Sequence, residues 1–183
     1  MATDTFGYSG IGGSSYGQDA NIIHGEHYEI GVSPAQNGYA RKIACYCSLT
    51  NAGDKVRFGL YKMSDGSLVA YTEELTDITG DAWHEADIEV GDDVLLETTE
   101  KYYLVVFPDA SLKIFYQDAP AEYDIWYDDG AFVYPNFPAN VSLSQIALHR
   151  EFSLYCTYEI SAAPPTAPKG GSMAARMLAG KLI

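Results

Sequence analysis

At 183 residues, 47% of them apolar, the chain has the length of one domain with an appendage and too much apolar content for a disordered protein. Fifteen Tyr and seventeen Gly, without long Ala-Leu-Lys-Glu runs, favour strands and turns over helices, so the fold class is all-β. The net charge of −14 divides into −17 over residues 1–160 and +3 over residues 161–183, and the acidic body repels phosphate backbones and anionic lipid, which argues against nucleic acid and membrane surfaces as partners.

Residues 6–18 are so rich in glycine that they read as an arm or loop lying over the sheets. Strands begin at 22–30. The clearest spans 40–49, where Ile43, Cys45, Cys47 and Leu49 alternate against Lys42, Ala44, Tyr46 and Ser48, the period of a half-buried strand. Asn51-Ala52-Gly53-Asp54 turns the chain into 55–62, with Val56, Phe58 and Leu60 facing inward. Ser64-Asp65-Gly66 is a tight-turn signal that makes a hairpin with 67–75. Further strands are expected at 82–89, at 101–107 (buried on both faces) and at 112–117. Residues 118–146 carry prolines, aromatics and acids and read as a long ordered loop with short strand pieces. A last strand at 147–160 alternates over its whole length. The expected core includes Ile43, Val56, Phe58, Leu60, Leu104, Val106, Phe152 and Leu154.

About eight strands at turn-punctuated intervals predict an antiparallel β-sandwich of the jelly-roll type over residues 1–160. Pro164-Pro165, Pro168 and Gly170-Gly171 make 161–171 a linker, and 172–183 an extended apolar-basic tail. The tail's Met173, Arg176, Met177, Leu178, Lys181, Leu182 and Ile183 are expected to dock on a neighbouring subunit, because a segment this apolar gains by burial. No run approaches the ~20 apolar residues of a membrane span. Met1-Ala2-Thr3-Asp4-Thr5 is not the start of a secretory signal, so synthesis in a host cytoplasm is expected, with a virion as the destination and the extracellular surface as the alternative.

The search for reactive chemistry is mostly negative. The glycine-rich arm lacks a Gly-x-Gly-x-x-Gly register, and no Walker lysine exists. His24 and His27 fall on opposite faces of a strand and cannot share a metal as they would on a helix. Cys45 and Cys47 share a strand face, and Cys156 lies in a late strand. Three reduced core thiols, or a Cys156 bridge to Cys45 or to Cys47, are all compatible with that spacing, whereas zinc needs more ligands. No catalytic centre and no resident cofactor are expected. One constellation suits ligand binding: Tyr116, Asp118, Tyr123, Asp124, Trp126, Tyr127 and Asp128, where rings can stack on saccharide faces and carboxylates can accept hydroxyl hydrogen bonds or hold Ca²⁺.

Several segments together carry a resemblance: Phe6-Gly7 with Ile11-Gly12, Gly38 to Ile43, Val56 to Tyr61, Asp65 to Ala70, Trp83, Leu95 to Val106, and Phe152 to Tyr158. Their order resembles the jelly-roll domains of phage and archaeal-virus structural proteins, decoration and fibre proteins among them, and microbial surface modules of carbohydrate-binding type. The resemblance implies a sandwich that serves as a scaffold, a decoration or a carbohydrate-binding module. Taken with the acidic body and the linker and apolar tail, it leads to the expectation of a non-enzymatic structural subunit of a capsid or tail, homo-oligomeric or capsid-bound. A carbohydrate-binding module for attachment to a host or cell surface is the alternative.

Overall fold

The computed structural model of the chain describes residues 1–20, 23–25, 32–118, 125–128, 132–141, 144–146 and 150–161. Every regular element among them is a strand. In chain order these are β1 (Thr3–Tyr8), β2 (Ser14–Gln18), β3 (Ile23–Gly25), β4 (Gly38–Leu49), β5 (Lys55–Lys62), β6 (Leu68–Thr72), β7 (Leu75–Thr76), β8 (Ala82–Val90), β9 (Leu95–Leu96), β10 (Tyr102–Pro108), β11 (Leu112–Asp118), β12 (Ile125–Asp128), β13 (Ser144–Ile146), β14 (Arg150–Phe152) and β15 (Leu154–Ile160). The fifteen strands replace the expected eight or so, because breaks and short connections divide several of the runs that alternation alone joins.

All pairings are antiparallel. One sheet follows the order β1-β15-β4-β8, with β11 continuing beside β4 and carrying β2 and β14. The other follows β6-β5-β10-β3-β12-β13. β8 belongs to both: Ala82 to Asp87 pair with β4, and Ile88 and Val90 pair with β6. A strand that changes partners along its length turns a corner, so the two sheets are one antiparallel sheet curled into a half-barrel.

The curl faces the inward residues of β4, β11 and β15 against those of β5 and β10. Ile43, Val56, Phe58, Leu60, Leu104, Val106, Phe152 and Leu154 are all fully buried there, as alternation predicts. Each such side chain contributes about 1.5–3 kcal/mol when removed from water. β10 is buried on both faces: Tyr102, Leu104 and Val106 point into the curl, while Tyr103, Val105 and Phe107 join Ile23, Tyr61 and Val141 in a second cluster. Phe132, Tyr134 and Phe137 cover that second cluster, with Phe137 stacked on Tyr71 at 5.3 Å and Tyr61 donating a hydrogen bond to the Pro138 carbonyl at 2.9 Å. The stretch 132–141 is thus a packed cap. Cys45, Cys47 and Cys156 are buried in the main core.

Two expectations are corrected by the pairing. Residues 6–18 are not an irregular arm or loop over the sheets: β1 pairs with β15, β2 pairs with β11, and Phe6 is buried against Tyr102 and Tyr158. Their glycines permit close approach. A Cβ on Gly12 would overlap the Tyr116 backbone, and Gly7 holds φ +100° against Leu154 and Tyr155. The last strand is also interrupted, at Ser153. This buried residue donates its N–H to the Phe115 carbonyl at 2.8 Å and accepts from the Tyr46 N–H at 2.9 Å. Its hydroxyl accepts from the Gly12 N–H at 2.9 Å, so one residue ties β11, β4 and the N-terminal segment together. Smaller differences follow the same logic. The strand expected at 67–75 stops at Thr72, and the described part of 22–30 that is strand is Ile23–Gly25.

Candidate functional site

Alternation that buries one phase of a strand presents the other phase to solvent. On the outer face of the first sheet that second phase is aromatic. Tyr46 on β4 stands opposite Trp83 on β8, with ring centroids 5.7 Å apart and edge-to-face. Phe115 on β11 lies 5.0 Å from Tyr46, and Tyr155 on β15 lies 5.0 Å from Trp83. The four half-buried rings form one continuous cluster across four strands. Edge-to-face contacts are the favourable geometry for aromatic quadrupoles, so the rings hold one another in place.

Charged groups frame the cluster. Lys42 bonds Glu85 at 2.6 Å and reaches Asp87 at 3.5 Å, and the Glu85 hydrogen bond, ahead of its charge, raises the lysine above its ordinary range. Lys113 lies 4.5 Å above the Phe115 ring and bonds Asp81 at 2.6 Å. That bond, then one from Ser48, holds the Asp81 carboxyl below the usual carboxylate range. Desolvation raises the Tyr155 phenol. An ordered aromatic patch with a polar rim is the anatomy of a binding surface, since rigid Tyr and Trp rings lose little freedom on contact.

A second concave feature lies where the described chain ends. Ile160 donates to the Ala2 carbonyl and Ser161 to the Asn37 carbonyl, both at 2.9 Å, so this end is fixed in the sheet. Beside it a cleft of about 540 Å³ is lined by Met1, Ala2, Tyr39, Glu159, Ile160 and Ser161. Tyr39 also lines an adjoining depression of about 340 Å³, with Arg41, Asp92 and Asp93. Arg41 is the extra residue of a β-bulge opposite Thr157 and Tyr158. Its guanidinium bonds the Glu159 carboxylate at 3.0 Å and the Asp92 carbonyl at 2.8 Å. That neutralises Glu159. Among the described residues the exposed Asp92 and Asp93 carboxylates have no partner, and exposed Val94 and Leu95 follow them in the chain.

The saccharide constellation expected from sequence is divided between the sheets. Tyr116 and Asp118 are on β11 of the first sheet, while Trp126, Tyr127 and Asp128 are on β12 of the second, opposite Gly25, His24 and Ile23. Tyr123 and Asp124 lie outside the described residues. One face of Tyr116 is occupied by the Arg150 guanidinium at 4.5 Å, which also contacts the Tyr16 ring at 4.7 Å, so that face is closed to a stacked sugar. Asp118 is exposed at the strand end. Met173, Arg176, Met177, Leu178, Lys181, Leu182 and Ile183 lie outside the described residues too. Among the described residues, no group of three or more His, Cys, Asp or Glu is placed to hold a metal ion.

Sequence did not group Tyr46, Trp83, Phe115 and Tyr155 as a site, although Trp83 and Tyr155 fall among the residues that carry the resemblance. The available signal was an aromatic in the outward phase of each of four strands. Lateral register, which brings those four together, is what the chain's local pattern does not contain. Comparison with protein-family models returns no match, and comparison with curated proteins also returns none.

Proposed function

We propose that this chain is a non-enzymatic structural subunit of a virus-like particle, a decorating or assembly protein held to its neighbours by protein contacts. The observation that carries the reading is the half-buried aromatic cluster of Tyr46, Trp83, Phe115 and Tyr155 on the outer face of a domain whose interior is filled by side chains. Apolar surface that is ordered, aromatic and rimmed by charge gains free energy when a partner covers it. The jelly-roll sandwich remains part of this proposal, a finer description than the curled antiparallel sheet. Residues 172–183 supply a second attachment through their Met, Leu and Ile side chains, and the particle itself is the proposed location.

Sedimentation of the purified full chain tests this. The intact protein should form a discrete oligomer, and Trp83→Ala with Tyr46→Ala should weaken it, with the variant's melting midpoint measured beside it to separate lost contact from lost fold. A monomer at every concentration would remove the reading. The second reading, a saccharide-binding module, has the same cluster as its platform in place of residues 116–134. Saccharide binding by the intact chain on a glycan array, lost in the Trp83→Ala variant, would select it.

A further inference from the structure

We propose that the cleft at Tyr39 and Ile160, with the adjoining Asp92 and Asp93, is the receptor for residues 172–183 of a second copy of this chain. The inference rests on the assembly reading above and names the surface that the tail contacts.

Three observations carry it. First, the chemistry matches on both sides. The cleft wall offers Met1, Tyr39 and Ile160, and next to it stand two carboxylates that no described residue neutralises. The segment 172–183 carries Met173, Met177, Leu178, Leu182 and Ile183 together with Arg176 and Lys181, and no acid. An apolar strip with two cations fits an apolar cleft with two anions. Second, the acidic side is built to stay available. Arg41, the nearby cation, is already committed to Glu159 and to the Asp92 carbonyl, so the Asp92 and Asp93 carboxylates remain exposed. Third, the chain leaves from the cleft itself, since Ser161 is one of its lining residues. Pro164, Pro165 and Pro168 favour an extended path. At about 3.1 Å per residue, ten residues before Ser172 are enough to span about 30 Å. That reach is enough for the segment to enter the equivalent cleft of a neighbouring copy. Each copy then gives one segment and receives one, the exchange that makes closed dimers or rings from a single surface.

A charge exchange between full-length chains tests the proposal. One variant carries Asp92→Lys with Asp93→Lys, the other Arg176→Glu with Lys181→Glu. All four sites are outside the core positions named above, and the melting midpoint of each variant is measured first. Each variant alone should associate about tenfold more weakly than the parent or worse, because like charges now face each other. An equimolar mixture should recover association, since each variant's segment suits the other's cleft. Full association of both single variants would overturn the proposal, as would a mixture that fails to recover. A chain ended after Ser161 separates the two levels. If it no longer associates while the Asp92→Lys, Asp93→Lys variant does, the assembly reading stands and this receptor is wrong. If it associates as the intact chain does, the tail has no part in assembly, and both the receptor and the tail attachment are lost.

Discussion

Replacing Gly12 by alanine probes the most specific packing statement made by the fold. The Gly12 N–H donates to the buried Ser153 hydroxyl at 2.9 Å, and an added Cβ would land on the Tyr116 main chain. Main chain in a paired strand cannot rotate away as a flexible side chain does, so the segment between β1 and β2 must lift. Overpacking of this kind costs about 1–3 kcal/mol. Separating the Gly12 N–H from Ser153 leaves buried polar groups without partners, for about 1–3 kcal/mol more. The expected total is about 2–6 kcal/mol, a large share of the ~5–15 kcal/mol that holds a domain together. Gly13 supplies the control, because a Cβ there meets nothing within 4 Å. Gly13→Ala should stay within about 0.5 kcal/mol of the parent. Urea unfolding of both variants, read by circular dichroism and compared at a common slope, gives the two numbers. Equal midpoints for Gly12→Ala and Gly13→Ala would refute the close packing of Gly12 on the Tyr116 main chain.

Phe58→Ala, at a fully buried position on β5, should cost about 3–5 kcal/mol; an unchanged melting midpoint would contradict the strand register. Cys45, Cys47 and Cys156 are buried, and burial pushes the Cys156 thiol well up, so thiol reagents should label the chain after denaturation and not before. Rapid labelling of the folded protein would contradict that placement. Tyr102, Tyr134, Tyr155 and Tyr158 have raised phenol pKa values, with desolvation the leading cause in each. A phenol raised in the folded state contributes stability below its unfolded value of about 10 and loses it as pH rises further, because only the unfolded chain then releases the proton. Stability should therefore fall above about pH 10, with late phenolate absorbance appearing as the fold is lost. Ionisation of every tyrosine near its ordinary value in a still-folded protein would argue against this burial.

Much of the main core was legible in the sequence because the signal is local. In 40–49 and 55–62 the alternation places Ile43, Cys45, Cys47, Phe58 and Leu60 inward, and they are inward. Alternation fails where the backbone changes phase. Ala40 and Ile43 both enter the core although they are three residues apart, because the bulge at Arg41 inserts a residue between them. Glycine misled for a related reason. At Gly7 and Gly12 it marks close backbone approach, which in composition looks the same as a flexible loop. Ser153 reads as one more outward position of a long strand, yet its main-chain and hydroxyl bonds make the corner. The aromatic face was harder still. Tyr46, Trp83, Phe115 and Tyr155 come from four strands spread over 110 residues of chain, and only lateral register makes them neighbours. The cleft likewise depends on the N-terminal strand pairing beside β15, a contact between the two ends of the described chain.

The mass of the intact chain in solution, set beside that of a chain ended after Ser161, tests the assembly reading most directly. Sedimentation equilibrium over a wide concentration range should return a multiple of the chain mass for the intact protein. The shortened chain should melt at the parent's midpoint and show a single-chain mass, or a much weaker association. Intact protein that stays monomeric throughout, or a shortened chain that assembles equally well, would contradict the account.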